Sequence, residues 1–162
     1  MMDRRPTPGR AIAHTISLIC SGLFAGFVLG VLVLELSLRD FSATTYAQVR
    51  EVELVGLDRL ATVTLVPAIA ATLWVVIADR RGRGLSRSMV PLLLLLTVFV
   101  VSLTVNVPIN ADQLDWNVDA PPADWADDRD RWQVAHAVRT VAAVLAFVLL
   151  TLPDRMRSRE EA

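Results

Sequence analysis

Apolar residues gather into four long stretches, at about 12–34, 60–78, 89–105 and 134–152, and almost all charges lie between or beyond them. Each stretch approaches the roughly 20 residues that an α-helix needs to cross a hydrocarbon core of about 30 Å. The first carries no charge and only His14, Thr15, Ser17 and Ser21 as polar members. It exceeds the roughly 7–15 apolar residues of a secretory signal and no small-x-small cleavage site follows, so it is expected to remain as a helix. The third has Pro91 in its opening turn, where the missing N–H costs little. No internal repeat or low-complexity tract appears. The pattern predicts an all-α integral membrane protein: one domain over 1–162, folded as an antiparallel four-helix bundle.

Charge sets the sidedness. All 16 basic residues are arginine, and ten of them flank the apolar stretches on one side, at 4, 5, 10, 80, 81, 83, 87, 155, 157 and 159. Cytoplasmic flanks are enriched in arginine, so both termini are expected in the cytoplasm. The other side has two longer connections, about 35–59 and 106–133, the second holding seven aspartates against two arginines. From Thr44 the chain runs without proline into the second apolar stretch. A helix starting near Tyr46 would exceed thirty residues, roughly 45 Å, and project beyond the outer membrane face. Pro121-Pro122 breaks the second connection, and Asp124 is placed to N-cap the helix that follows.

Composition narrows the classes. At 54% hydrophobic the chain exceeds the apolar content of soluble domains. A net charge of -1 argues against nucleic acid as a partner. The single cysteine, Cys20, excludes an intrachain disulfide and a cysteine metal cluster, and reads as an ordinary buried side chain. The partners expected are the lipid bilayer and a lipophilic small molecule, with a homo-oligomer or a larger membrane complex as a further option.

The polar residues within the apolar stretches carry the chemistry. Gly22, Gly26 and Gly30 form a stripe at four-residue spacing that suits close helix packing, and His14 lies at a membrane boundary. On the fourth helix Arg129, Trp132, His136, Arg139 and Ala143 recur at spacings of three and four, so they share an inward face. An arginine at the depth of Arg139 costs about 2.5–3.5 kcal/mol, so a carboxylate partner is expected. Glu53, on a face with Tyr46, Arg50 and Leu57 or Leu60, is the preferred partner, and Glu35 the alternative. Asn106-Val-Pro-Ile-Asn110 is expected to break the end of the third helix, since Pro108 prevents regular bonding. The candidate pocket therefore combines Asn106, Asn110, His136, Arg139, Glu35, Glu53, Tyr46, Trp116 and Trp132 at one depth. Trp125 reads as an interfacial anchor, and the same explanation competes for the other indoles.

Asn106-Val-Pro-Ile-Asn110, Trp116, Arg131-Trp132, His136 and Arg139 resemble the signature of the anthrone-oxygenase-like family of small four-span membrane proteins. The resemblance is close in the second half and rests on topology and the glycine-rich first span in the first half. Glu35-Leu-Ser-Leu-Arg39 and the helix from Tyr46 through Glu53 look like a bacterial variant, which implies a bacterial plasma membrane. The resemblance implies oxidation of a phenolic or enolisable aromatic ring by molecular oxygen in an outer-leaflet pocket. His136 would take a proton while Arg139, Asn106 and Asn110 stabilise the oxyanion. Cofactors stay open: none beyond molecular oxygen, or an iron or copper ion on Glu35, Glu53 and His136, a set short of the two-His facial triad. The competing class is a non-enzymatic subunit that stabilises or regulates a larger cell-envelope complex. A transporter is weaker, because four spans without an inverted repeat do not enclose a path.

Overall fold

The structure, a computed structural model, describes residues 7–80 and 85–152. Four long helical rods form an antiparallel bundle, with no strand among the described residues. Helix α1 covers Pro8–Ser37, with Pro8 in its first turn, where its absent N–H has no intrahelical role. A single 3₁₀ turn, Leu38–Asp40, reverses the chain into α2, Ala43–Asp79. The Ser42 hydroxyl accepts from the Thr45 N–H at 3.3 Å, which starts α2 three residues before the expected Tyr46. At 37 residues α2 is roughly 55 Å long. Its first turns do not stand free, for Tyr46, Ala47, Arg50, Glu53 and Leu54 are all buried.

Helix α3, Leu85–Val101, begins four residues before the expected span, so Pro91 lies inside it rather than in its opening turn. The helical rod then continues through a π-helical turn, Ser102–Asn106, into α4, Val107–Leu114. The break expected at Asn106–Asn110 is absent. Pro108 falls in the first turn of α4, and the wider turn preceding it absorbs the missing N–H without stopping the rod. Helix α5 covers Trp125–Thr151, with Asp124 at its N-cap position. The Asp124 side chain makes no capping bond, contrary to expectation. Its carbonyl instead accepts from the Asp127 N–H at 2.9 Å, and Asp127 and Asp128 complement the helix dipole.

Each rod neighbours two others: α1 packs on α2 and α5, and α3 on the same two. The mid-bundle core includes Phe24, Val28, Leu65, Ala68, Leu95, Val98, Ala143 and Ala146. Large apolar side chains such as Ile19, Leu23, Val63, Leu93 and Val141 face outward on every rod. That is the inverse of a soluble bundle, and four helices are long and apolar enough to span a bilayer. This is a multi-pass membrane protein. At the end where α1 begins, Arg10 grips Asp79 through two hydrogen bonds, of 2.6 and 3.1 Å, and Ser88 donates to the same carboxylate at 3.1 Å. Of the glycine stripe, only Gly22 is tightly packed: a Cβ there would meet the Phe147 ring at 2.9 Å, whereas Gly26 and Gly30 have nothing within 4 Å. The stripe is therefore no backbone contact within the chain, because α5 approaches only at Gly22 and does so with a side chain. Much of the arginine asymmetry behind the expected sidedness falls on Arg4, Arg5, Arg81, Arg83, Arg155, Arg157 and Arg159, which lie outside the described residues.

Candidate functional site

Charged and amide side chains converge at the opposite end, where α1 ends, α2 begins, α4 follows the π turn and α5 starts. At the centre is Arg50, 3% exposed. Its Nη1 donates to Glu35 Oε1 at 3.0 Å and to Glu53 Oε2 at 2.7 Å. Its Nε donates to Gln113 Oε1 and its Nη2 to Asn110 Oδ1, both at 2.8 Å. The guanidinium also lies 4.3 Å from the centroid of the Trp132 ring. Glu35, with no exposed surface, accepts at Oε2 from Gln133 Nε2 at 3.2 Å, and the same amide donates to the Glu35 carbonyl at 2.9 Å. Trp132 Nε1 donates to Asn110 Oδ1 at 2.6 Å, and Asn106 Nδ2 to the Trp132 carbonyl at 3.2 Å. One arginine thereby ties α1, α2 and α4 together, and Gln133 and Trp132 add α5.

One turn deeper lies a second unit. The buried His136 ring stacks on Trp132 with centroids 4.5 Å apart and planes 10° from parallel. Its Nε2 is 2.8 Å from the Val28 carbonyl, which can only accept, so Nε2 carries the proton. The lone pair on Nδ1 then accepts from Arg139 Nε at 3.0 Å and Nη2 at 2.7 Å. Arg139 Nη1 donates to Ser102 Oγ at 3.1 Å. The Ser102 position belongs to the π turn, so the irregular turn supplies one of Arg139's acceptors.

Three expectations change on this geometry. Among the described residues no carboxylate forms the ion pair expected for Arg139, because Glu35 of α1 and Glu53 of α2 are both drawn to Arg50, which reaches each within hydrogen-bond distance. His136 does not present a free lone pair to a substrate, since both ring nitrogens are engaged within the protein. Glu35, Glu53 and His136 do not form an iron or copper ligand set, and among the described residues no three histidine, cysteine or carboxylate side chains are grouped to hold a metal.

Between the two units a cavity of about 40 Å³ opens, lined by Phe27 and Val31 of α1, Glu53, Leu57 and Asp58 of α2, and Asn110, Trp132 and Arg139. At roughly 10–15 Å³ per water it holds about three. Glu53 lines the cavity, and its Oε1 is buried with no hydrogen-bond partner among the described residues. Asn106 Oδ1 and Gln133 Oε1 are likewise buried and unpartnered, but neither lines the cavity. Of the remaining expected residues, Tyr46 is fully buried against Trp125, with ring centroids 5.4 Å apart. Trp116 follows the end of α4 and does not line the cavity. Trp125, expected as an anchor, also carries Arg129 at 4.8 Å from its ring centroid. Arg50, Gln113, Gln133 and Ser102 were not among the expected site residues. Arg50 shares a helical face with Glu53 and Tyr46, which was the available signal for it, whereas Gln113, Gln133 and Ser102 carry none that spacing reveals.

The fold and this site define a small four-helix membrane protein with a charged, amide-rich cleft near one end of its bundle. Residues 57–149, more than half of the chain, match the family model described as anthrone oxygenase, and the chain belongs to that family. No curated protein and no solved structure matches it. The matched stretch includes Asn106, Asn110, Trp132, His136 and Arg139, and begins after Glu35, Tyr46, Arg50 and Glu53.

Proposed function

We propose that the protein is a membrane-embedded oxygenase acting on a lipophilic phenolic or enolisable aromatic ring, in the plasma membrane of a bacterium. Family membership supports the reaction class. The observation that carries the reading to particular residues is the Glu53 carboxylate on the wall of the cleft, one oxygen of which is buried with no hydrogen-bond partner among the described residues. A buried acceptor left open is costly, and a ligand O–H or acidic C–H is the group that would complete it. Glu53 therefore replaces His136 as the base in this reading. Arg139 stabilises the resulting oxyanion, and His136 holds Arg139 in place, as a positioning residue. The enolate is electron-rich enough to reduce oxygen directly. In the anthrone reaction the ring methylene loses two hydrogens and gains a carbonyl oxygen, and the other oxygen atom leaves as water.

With room for about three waters, the cleft admits only the polar edge of such a ring. The remainder would lie against Phe27, Val31 and Leu57, on the side open to lipid. The experiment is oxygen consumption by wild type and Glu53→Gln with a panel of hydroxyaromatics, beside thermal melting of both. A base contributes typically 10²–10⁴-fold, so Glu53→Gln should lose about that much rate per folded molecule, beyond whatever its melting loses with the Arg50 pair. Wild type that consumes no oxygen with any ring sinks the reading. The competing reading, a structural subunit of an envelope complex, is favoured by the Arg50 network, which is what a helix clamp requires. A stoichiometric protein partner retained through purification in mild detergent would support it.

A further inference from the structure

We infer that the cleft selects a ligand with an anionic oxygen, a ring carboxylate or phenolate, seated on Arg139, and a hydroxyl on the same ring directed to Glu53. This deepens the reading of the cleft as a substrate site and rests on it. The two arginines that line the cleft differ in their partners. Arg50 has two carboxylates within 3.0 Å. Arg139 has only neutral ones, the His136 ring and the Ser102 hydroxyl. A guanidinium has five N–H donors, and these contacts use three, leaving two directed at no protein acceptor. Glu35 and Glu53 are committed to Arg50. Asp58, the remaining carboxylate on the cleft, is exposed at its mouth and forms no ion pair with Arg139 among the described residues. A cation this deep in a bilayer, with no ion pair and only the longer-range charge of the exposed Asp58 acting on it, is expensive to hold, and it is neutralised most directly by an anion entering with the ligand.

The acceptor side is equally specific. Glu53 Oε1 takes a donor, so a ligand with only anionic oxygens leaves it unpaired, and one with only hydroxyls leaves Arg139 uncompensated. A ring bearing both satisfies both. The probe pair is 3-hydroxy-2-naphthoate and its methyl ester, titrated calorimetrically into the full-length protein in mild detergent. In wild type the acid should bind about tenfold or more tightly than the ester, as expected for a hydrogen bond to a charged group. Arg139→Gln should bring the two within about twofold, by weakening the acid alone, and Arg139→Lys should retain part of the preference. Melting is measured on each variant, and the wild-type ratio stands as a test even where a variant unfolds. Equal binding of acid and ester to wild type, or binding of neither, overturns the inference. Acid preference without oxygen uptake supports the anionic seat and removes only the oxygenase reading. Oxygen uptake with the ester alone does the reverse.

Discussion

Two arginines in one cleft divide the work according to the company each keeps. Arg50 has four of its five donors bonded, two of them to carboxylates, and acts as a clamp, whereas Arg139 has three bonded among the described residues and lies beside a cavity. If Arg50 is a clamp, Arg50→Gln leaves two buried carboxylates without their cation, a change that typically costs about 3–5 kcal/mol. Unfolding in mixed micelles should show a loss of that size, and Glu35→Gln added to Arg50→Gln should recover part of it. A double variant no more stable than Arg50→Gln alone would mean that the Glu35–Arg50 pair is not the tie. The sequence reading reached the right carboxylates and paired them with the wrong arginine. Depth guided it, because Arg139 lies within an apolar stretch and an unpaired charge there demands explanation. Arg50 falls on the part of the second helix expected to project beyond the membrane, on a face with Glu53 and Tyr46. Its burial is a tertiary fact, produced by the packing of α1, α4 and α5 around the start of α2, and no spacing along the chain reports it.

The π turn at Ser102–Asn106 shows how an element can shape the site while looking ordinary in sequence. It adds a residue to the rod, and every side chain beyond it is rotated relative to a regular helix. Ser102 opens the turn and meets Arg139, and beyond the turn Asn110 and Gln113 face Arg50. Inserting one alanine after Leu103, an exposed residue of this turn, adds a residue beyond the one the π turn already absorbs and should rotate α4 by about 100°. Asn110 would then leave Arg50 and Trp132, and Gln113 would leave Arg50. Lost hydrogen bonds to a charged group cost about 1.5–3 kcal/mol each, so melting should fall well below that of wild type, with the cleft destroyed. An insertion variant that melts like wild type would show that α4 is held by something other than these bonds. The four rods were legible because apolar runs of spanning length have one physical solution in a bilayer. The π turn was not, since Asn-Val-Pro-Ile-Asn equally describes a helix end, and only the packing of α4 on α2 selects continuation.

At the scale of the whole molecule, four spans put both termini on one side, and the cleft lies at the other end of the bundle, near the 38–42 and 115–124 connections. Which leaflet that end occupies decides where a ligand enters. The arginine distribution favours the end bearing the termini as cytoplasmic, and the aspartates of 112–130 favour the other as external. The cleft is lined by α1, α2, α4 and α5 at that end, so with this sidedness a membrane-dissolved ring would reach it from the outer leaflet. Single cysteines introduced at Ala120 and Leu85, in a chain with Cys20 replaced by serine, separate the alternatives. A membrane-impermeant thiol reagent added to intact cells should label position 120 and leave position 85 unmodified until the cells are opened. Labelling of 85 and protection of 120 would invert the molecule, placing the cleft in the cytoplasmic leaflet. The hydrogen bonds of the site would be unchanged, but its ligand would then have to come from the inner leaflet or the cytoplasm.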